Sequence, residues 1–217
     1  SVSNYSDNIL KNSKLALSLP LGVSFLGQPA DQRVREEILG NLGPGTVKPQ
    51  SYDLIVTDGS DTLKRVDAKL SYSTPQNPNT QFEQLSETDF TVGQPALSVN
   101  LNAPQSVFNG QDFEITADYS NNTNHEFKNV ILKIDYPPVF VFKGSTMKAI
   151  GGGNNSWDLG TLSPASKGTV FITGNVVGAE NSSLNFRGYL TSDFLGQTYT
   201  LSNKQFTVSV SPSPLSL

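Results

Sequence analysis

The chain has 217 residues, 36 % hydrophobic and only 16 % charged against a usual ~25 %, so Ser, Thr, Asn and Gln must supply most of its polar surface. Its net charge of −4, from 15 Lys+Arg and 19 Asp+Glu, offers no basic track for a nucleic-acid backbone and no polybasic run for an anionic membrane. The absence of cysteine and the presence of a single histidine, His125, exclude disulfides, thiolate metal sites, Cys nucleophiles and multi-His metal centres, and no run of ~18 apolar residues could span a bilayer as a helix.

In chain order, the first apolar run is Leu-Ser-Leu-Pro-Leu-Gly-Val-Ser-Phe-Leu-Gly at 17–27. Residues 31–39 follow, with Arg33, Arg35, Glu36 and Glu37 around Val34 and Ile38; this is the one weak helix candidate, and it predicts a turn of helix at most. Strict period-two alternation then dominates. Leu97, Val99 and Leu101 share a face, as do Phe113, Ile115, Ala117 and Tyr119, then Val130, Leu132, Ile134 and Tyr136. Leu184, Phe186, Gly188 and Leu190 repeat the pattern, and Phe206, Val208 and Val210 close it. Clusters of Gly, Pro, Asn and Ser bound each run, which is the signature of short antiparallel strands with one buried face and predicts a β-sandwich or barrel.

An internal repeat organises these runs. Pro20, Phe25 and Gly27 match Pro137, Phe142 and Gly144 at an offset of 117, as Lys11-Asn12 matches Lys128-Asn129. Leu39-Gly40-Asn41-Leu42-Gly43-Pro44 matches Leu159-Gly160-Thr161-Leu162-Ser163-Pro164 at 120. Tyr72 pairs with Tyr189 at 117, Phe90-Thr91-Val92 with Phe206-Thr207-Val208 at 116, and Tyr5-Ser6 with Tyr119-Ser120 at 114. Collinear matches with small changes of offset are what loop insertions produce. Two units are expected, 1–93 and 94–210, joined at Gln94-Pro95, with 211–217 opening a further repeat or linker because Pro214-Leu215-Ser216-Leu217 resembles Pro95-Ala96-Leu97-Ser98-Val99. The later copy carries a strand, an Asn109-Gly110 turn and the start of another strand before Phe113. The first copy, which begins at residues matching Thr116, has no counterpart to them. The chain therefore reads as part of a longer array; taken alone, its first unit would present an open sheet edge.

The second copy runs Tyr-Ser-Asn-Asn at 119–122, Phe-Lys-Asn-Val at 127–130, Tyr-Pro at 136–137, Phe-Lys-Gly at 142–144 and Trp-Asp-Leu-Gly-Thr-Leu at 157–162, with a further strand from Gly168. This order resembles the tandem Ig-like conserved-repeat, or CARDB-like, domains of bacterial and archaeal cell-surface proteins, over residues 5–92 and 96–210. The first copy departs from it where Glu37 stands in the place of Trp157. The resemblance implies an all-β chain of two tandem Ig-like Greek-key β-sandwiches of seven or eight strands, the first lacking its N-terminal strand or strands. It also implies a spacer or stalk role, and it carries no catalytic residues.

Residues that could do chemistry are few. No Gly-x-Ser-x-Gly elbow occurs, and His125 lies in the polar run Asn124-His125-Glu126. Glu36-Glu37 and the pair Asp58 and Asp61 are acidic pairs with nothing to mark them as a glycosidase pair. Asp58-Gly59-Ser60-Asp61 is half of a calcium loop and lacks the remaining oxygen ligands, so a backbone turn is the favoured reading and calcium the alternative. Gly151-Gly152-Gly153-Asn154-Asn155 has neither the Lys-Ser/Thr nor the helix of a phosphate loop. Lys128, Asn203 and Asp118 form one conceivable isopeptide trio, and Asn4, Asn121, Asn154 and Asn181 head N-x-Ser/Thr sequons.

The expected function is structural and non-enzymatic: an extracellular spacer, stalk or building block of a surface layer or filament, without cofactor. Its expected partners are neighbouring repeats or copies of the same protein, with cell-surface glycans or proteins as further candidates. The alternative is an adhesin or carbohydrate-binding module with Trp157, Asn154 and Asn155 at its ligand contact, or Tyr5, Tyr119 and nearby Asn side chains. An exposed Trp157 would favour binding and a buried one the spacer.

Overall fold

Because every long apolar run has period two, each can bury one face only by pairing sideways into a sheet. The computed structural model describes residues 1–57, 61–178 and 180–212, and every regular element among them is a β-strand. The chain divides into two compact units, Ser1–Gly93 and Gln94–Leu217.

The first unit contains β1 (Val2–Ser3), β2 (Leu10–Ser18), β3 (Val23–Phe25), β4 (Val34–Leu42), β5 (Val47–Lys48), β6 (Leu54–Val56), β7 (Leu63–Thr74) and β8 (Asn77–Thr91). One antiparallel sheet has the order β4-β2-β7-β8; the rest are two-stranded pieces, β1-β5 and β3-β6. The helical turn expected within 31–39 does not form: Val34 to Ile38 pair with Ser18 to Lys14 as part of β4. The four-residue spacing of Val34 and Ile38 misled, since both are exposed, at 53 % and 82 %. The residues that turn inward are Leu39 and Leu42, three apart because a bulge at Gly40, with φ +73°, interrupts the alternation.

The second unit contains β9 (Leu97–Asn102), β10 (Ser106–Phe108), β11 (Asp112–Asn121), β12 (Phe127–Asp135), β13 (Phe140–Ser145), β14 (Ser156–Leu162), β15 (Lys167–Val176), β16 (Ser182–Phe194) and β17 (Gln197–Ser211). These make a β-sandwich of two sheets, β10-β17-β16-β12-β14 and β13-β15-β11-β9. All pairings are antiparallel except β10 with β17. The described residues of this unit form nine strands, above the seven or eight expected. Pro104 cannot donate to a ladder, so the segment after β9 breaks there and its continuation, β10, joins the other sheet. Ile115, Ala117, Leu132, Ile134, Val170 and Ile172 are fully buried between the sheets, and Phe113, Phe140 and Phe186 meet edge to face.

The registers superimpose one unit on the other. Leu15 faces Leu70 and Glu37 as Leu132 faces Leu190 and Trp157. Val2 and Ser3 pair with Lys48 and Val47 as Tyr119 and Ser120 pair with Gly168 and Lys167. Three of the sequence anchors therefore move. By the β7–β8 and β16–β17 registers Phe90 is the counterpart of Val208, at 118. Tyr72 is the counterpart of Ser192, at 120, and Tyr5-Ser6 of Asn122-Thr123, at 117; the matching tyrosines reflect composition, not position. Among the described residues of the first unit no strand takes the place of β9 or of most of β11.

Candidate functional site

The loop expected to hold a ligand lies between β13 and β14. Its two ends are joined by the Ile150 N–H donating to the Ser156 carbonyl at 2.8 Å, and the Tyr136 hydroxyl donates to the Asn154 carbonyl at 3.2 Å. Asn154 is exposed with φ +49°, a conformation that Asn tolerates and most side chains do not. Asn155 is half-buried; its carbonyl accepts from the Ile134 N–H at 2.8 Å and its Oδ1 from the Ser156 hydroxyl at 3.3 Å. Trp157 is fully buried, which removes it as a ligand contact. It sits on β14 opposite Leu132, and its Nε1–H donates to Ser145 Oγ and to the Met147 carbonyl, both at 3.1 Å. Period two decides this placement: Ser156 and Asp158 point outward, so the indole points in. Burial between the aromatic rings also drives the Tyr136 phenol pKa upward.

The tyrosines do not form a second platform. Tyr119 lies across Gly168, so close that a Cβ there would sit 2.2 Å from its hydroxyl, and Tyr5 is 90 % exposed on a turn of the first unit. An open cleft of about 270 Å³ in the first unit is lined by Asn12, Lys14, Tyr72, Ser73, Pro78 and Gln81, and none of the expected contact residues.

Two asparagines that the sequence marked only as sequon heads do define a site. Asn121 is 1 % exposed, and its Nδ2 donates to the carbonyls of His125 at 2.7 Å and of Leu162 and Ser163 at 3.0 Å. Its Oδ1 accepts from the N–H and hydroxyl of Thr123. Asn4, 2 % exposed, repeats the arrangement, donating to the carbonyls of Asn8 and Leu42 and accepting from the N–H and hydroxyl of Ser6. Each amide pins the turn after one strand to the end of a strand some forty residues later, across the two sheets. The signal was present in the sequence, since Asn4-Tyr5-Ser6 and Asn121-Asn122-Thr123 share the offset of the prolines. Both amides are consumed by these bonds, whereas Asn154 and Asn181 head exposed sequons.

The remaining chemical candidates disperse. The isopeptide trio is not assembled: Lys128 pairs with Glu126 at the surface, Asp118 accepts from the Thr169 hydroxyl on β15, and Asn203 on β17 pairs with Tyr189 on β16. The exposed His125 contributes its carbonyl to the Asn121 turn. Glu37 lies 3.6 Å from Arg35, whose guanidinium stacks over Tyr52 and Phe25, and Glu36 is exposed on the same strand. Residues 58–60 of the half calcium loop, and 213–217 of the expected further repeat, lie outside the described residues. Among the described residues no group of three or more His, Asp or Glu could hold a metal ion, and no helix is long and apolar enough to cross a membrane.

No protein-family model and no curated protein sequence matches the chain. Among solved structures, it is similar to a cohesin module from a Clostridium perfringens family 33 glycoside hydrolase, at 12 % identity and a TM-score of 0.42, over 55 % of this chain and all of that one. It is also similar to red sea bream transglutaminase, at 11 % identity and a TM-score of 0.41, over 96 % of this chain but 28 % of that one.

Proposed function

We propose that the chain is a structural, non-catalytic segment of a bacterial or archaeal cell-surface protein, a repeated β-sandwich that serves as spacer or stalk or builds a surface layer or filament. Neighbouring repeats or other copies are its partners, and it needs no cofactor. The observation that carries this reading is the complete burial of Trp157. The only indole in the chain is spent on holding two sheets together, and the loop beside it is spent on its own hydrogen bonds. A second feature agrees. β10 and β17, near the two ends of the second unit, pair in parallel from Ser106 opposite Ser209 to Phe108 opposite Ser211. Tension applied through those ends loads these pairs in shear, so they must break together. The polar, low-charge surface suits a solvent-exposed stalk.

The test has two arms. Saccharide titration monitored by backbone amide shifts should leave residues 151–157 unmoved; saturable shifts there would establish the adhesin or carbohydrate-binding alternative. Pulling single molecules through their ends should give a force peak for the second unit that Val107→Pro lowers markedly. An unchanged peak would remove the load-bearing role.

A further inference from the structure

The second unit holds a carboxylate at a place where the first unit has a cleft. Asp193 on β16 is exposed; it accepts from the Thr198 hydroxyl on β17 at 2.6 Å and from Asn129 Nδ2 on β12 at 3.4 Å. Both places are built from corresponding strands, β12, β16 and β17 in the second unit and β2, β7 and β8 in the first. Leu70 is the counterpart of Leu190 by register, so Ser73 takes the place of Asp193. Leu15 is the counterpart of Leu132, so Asn12 takes the place of Asn129 and Lys14 that of Ile131. Tyr72 faces Phe82 as Ser192 faces Tyr199, which sets Gln81 where Thr198 stands.

Asn12 and Asn129 share a left-handed backbone, at φ +52° and +51°, so their amides leave the chain alike. Ser73 has no carboxylate, and its hydroxyl is turned to the Lys11 carbonyl at 3.4 Å. What remains is the open cleft of about 270 Å³, with Asn12, Lys14, Thr80 and Gln81 around it and the buried Ser71 and Ser73 in its lining. No acid lines it, and Glu83, opposite Ser71 on β8, is taken by Lys69 at 3.0 Å. Neither the Lys14 ammonium nor the Asn12 carboxamide has a protein partner among the described residues. The second unit neutralises these donors from within; the first leaves them unanswered and adds a cation where the second has Ile131.

We infer that the cleft between β2, β7 and β8 binds an acidic saccharide, a hexuronate unit, with its carboxylate in the position that the Asp193 carboxylate holds in the second unit. Asn12 and Gln81 donate to it as Asn129 and Thr198 donate to Asp193, and Lys14 supplies the charge that draws in a ligand not tethered to the chain. The carboxylate fills only part of the cleft, since one water occupies roughly 30 Å³ of liquid. The rest of the lining is hydroxyl and amide, Ser71 and Thr80 included, groups that both donate and accept as a sugar's hydroxyls require.

The probe is glucuronate, titrated into the full chain and followed by backbone amide shifts, with glucose and acetate as controls. Saturable shifts are expected at residues 12–14, 71–73 and 80–81, with each control binding about tenfold more weakly or worse. Lys14→Gln should weaken glucuronate by about tenfold or more, because a charge-assisted bond is lost. Ser73→Asp restores the carboxylate of the second unit in place of the ligand's and should abolish binding while amide shifts away from the cleft stay as they are. Added salt should weaken binding. Absence of saturable shifts would overturn the proposal, as would shifts confined to other residues or undiminished binding in either variant. Glucose binding as tightly as glucuronate would overturn the role of the carboxylate, and acetate doing so would overturn the saccharide. None of these outcomes depends on whether the molecule is a stalk.

Discussion

A single carboxamide does the work of a cross-brace in each unit. Asn121 donates to three carbonyls, and leaving a buried one such as that of Leu162 without this donor costs roughly 1–3 kcal/mol. Asn121→Ala should therefore lower the stability of the second unit by about 2–4 kcal/mol in chemical denaturation, with Asn121→Asp nearly as costly because it loses the donor. The surface group Asp112 predicts a pH effect. The Lys143 ammonium bonded to it holds its carboxyl below the usual carboxylate range, helped by the Asn175 amide. The folded-state value is the lower one, so this contribution is complete above the ordinary value of about 4 and is lost as pH falls through the lowered one. The stability difference between the parent chain and Asp112→Asn should accordingly shrink on acidification in that window. It should also be reduced by salt, since both groups are about half exposed.

At the scale of elements, close approach between strands is bounded by missing side chains. Gly168 on β15 accepts the Tyr119 ring of β11, and a Cβ would stand 2.2 Å from the hydroxyl and 2.4 Å from Cζ. Gly168→Ala should destabilise the second unit by about 1–3 kcal/mol, and adding Tyr119→Ala should return part of that loss, giving a measurable coupling in a double-mutant cycle. The bulges obey the same logic of position. Gly40 and Gly160 occupy matching sites with φ +73° and +67°, opposite Ser13 and Val130. They shift the alternation by one residue, which lets Leu42 and Leu162 turn inward beside Leu10 and Phe127. That shift is also why 31–39 reads as weakly helical in sequence: periodicity is a local signal, and a bulge breaks it without breaking the strand.

For the whole molecule, the unequal cores predict unequal stability. Stability scales with the apolar surface each unit removes from water, so the first unit, which buries fewer apolar side chains among the described residues, should unfold at lower denaturant than the second. Far-UV circular dichroism reports both units, whereas fluorescence of the single tryptophan reports only the second. The two transitions should not coincide, and the fluorescence midpoint should be the higher. Coincident curves would mean that the units unfold as one.

The sequence by itself determined that the fold class is all-β, where the main alternating strands of the second unit run, where proline and glycine interrupt them, and that one pattern occurs twice. These follow from alternation and backbone restriction, which are properties of neighbouring residues. It also determined that Glu37 stands in the place of Trp157. Only the tertiary structure decided that Trp157 faces the core, that Asn4 and Asn121 are braces, that Lys128, Asn203 and Asp118 never meet, and that β6 pairs with β3. Each of these depends on residues distant in the chain. The Asn121 amide is satisfied by Leu162, and among the described residues β6 pairs with β3 alone where its counterpart β15 pairs with both β13 and β11. Whether a polar side chain is exposed or indispensable is set by what folds against it, which no local period records.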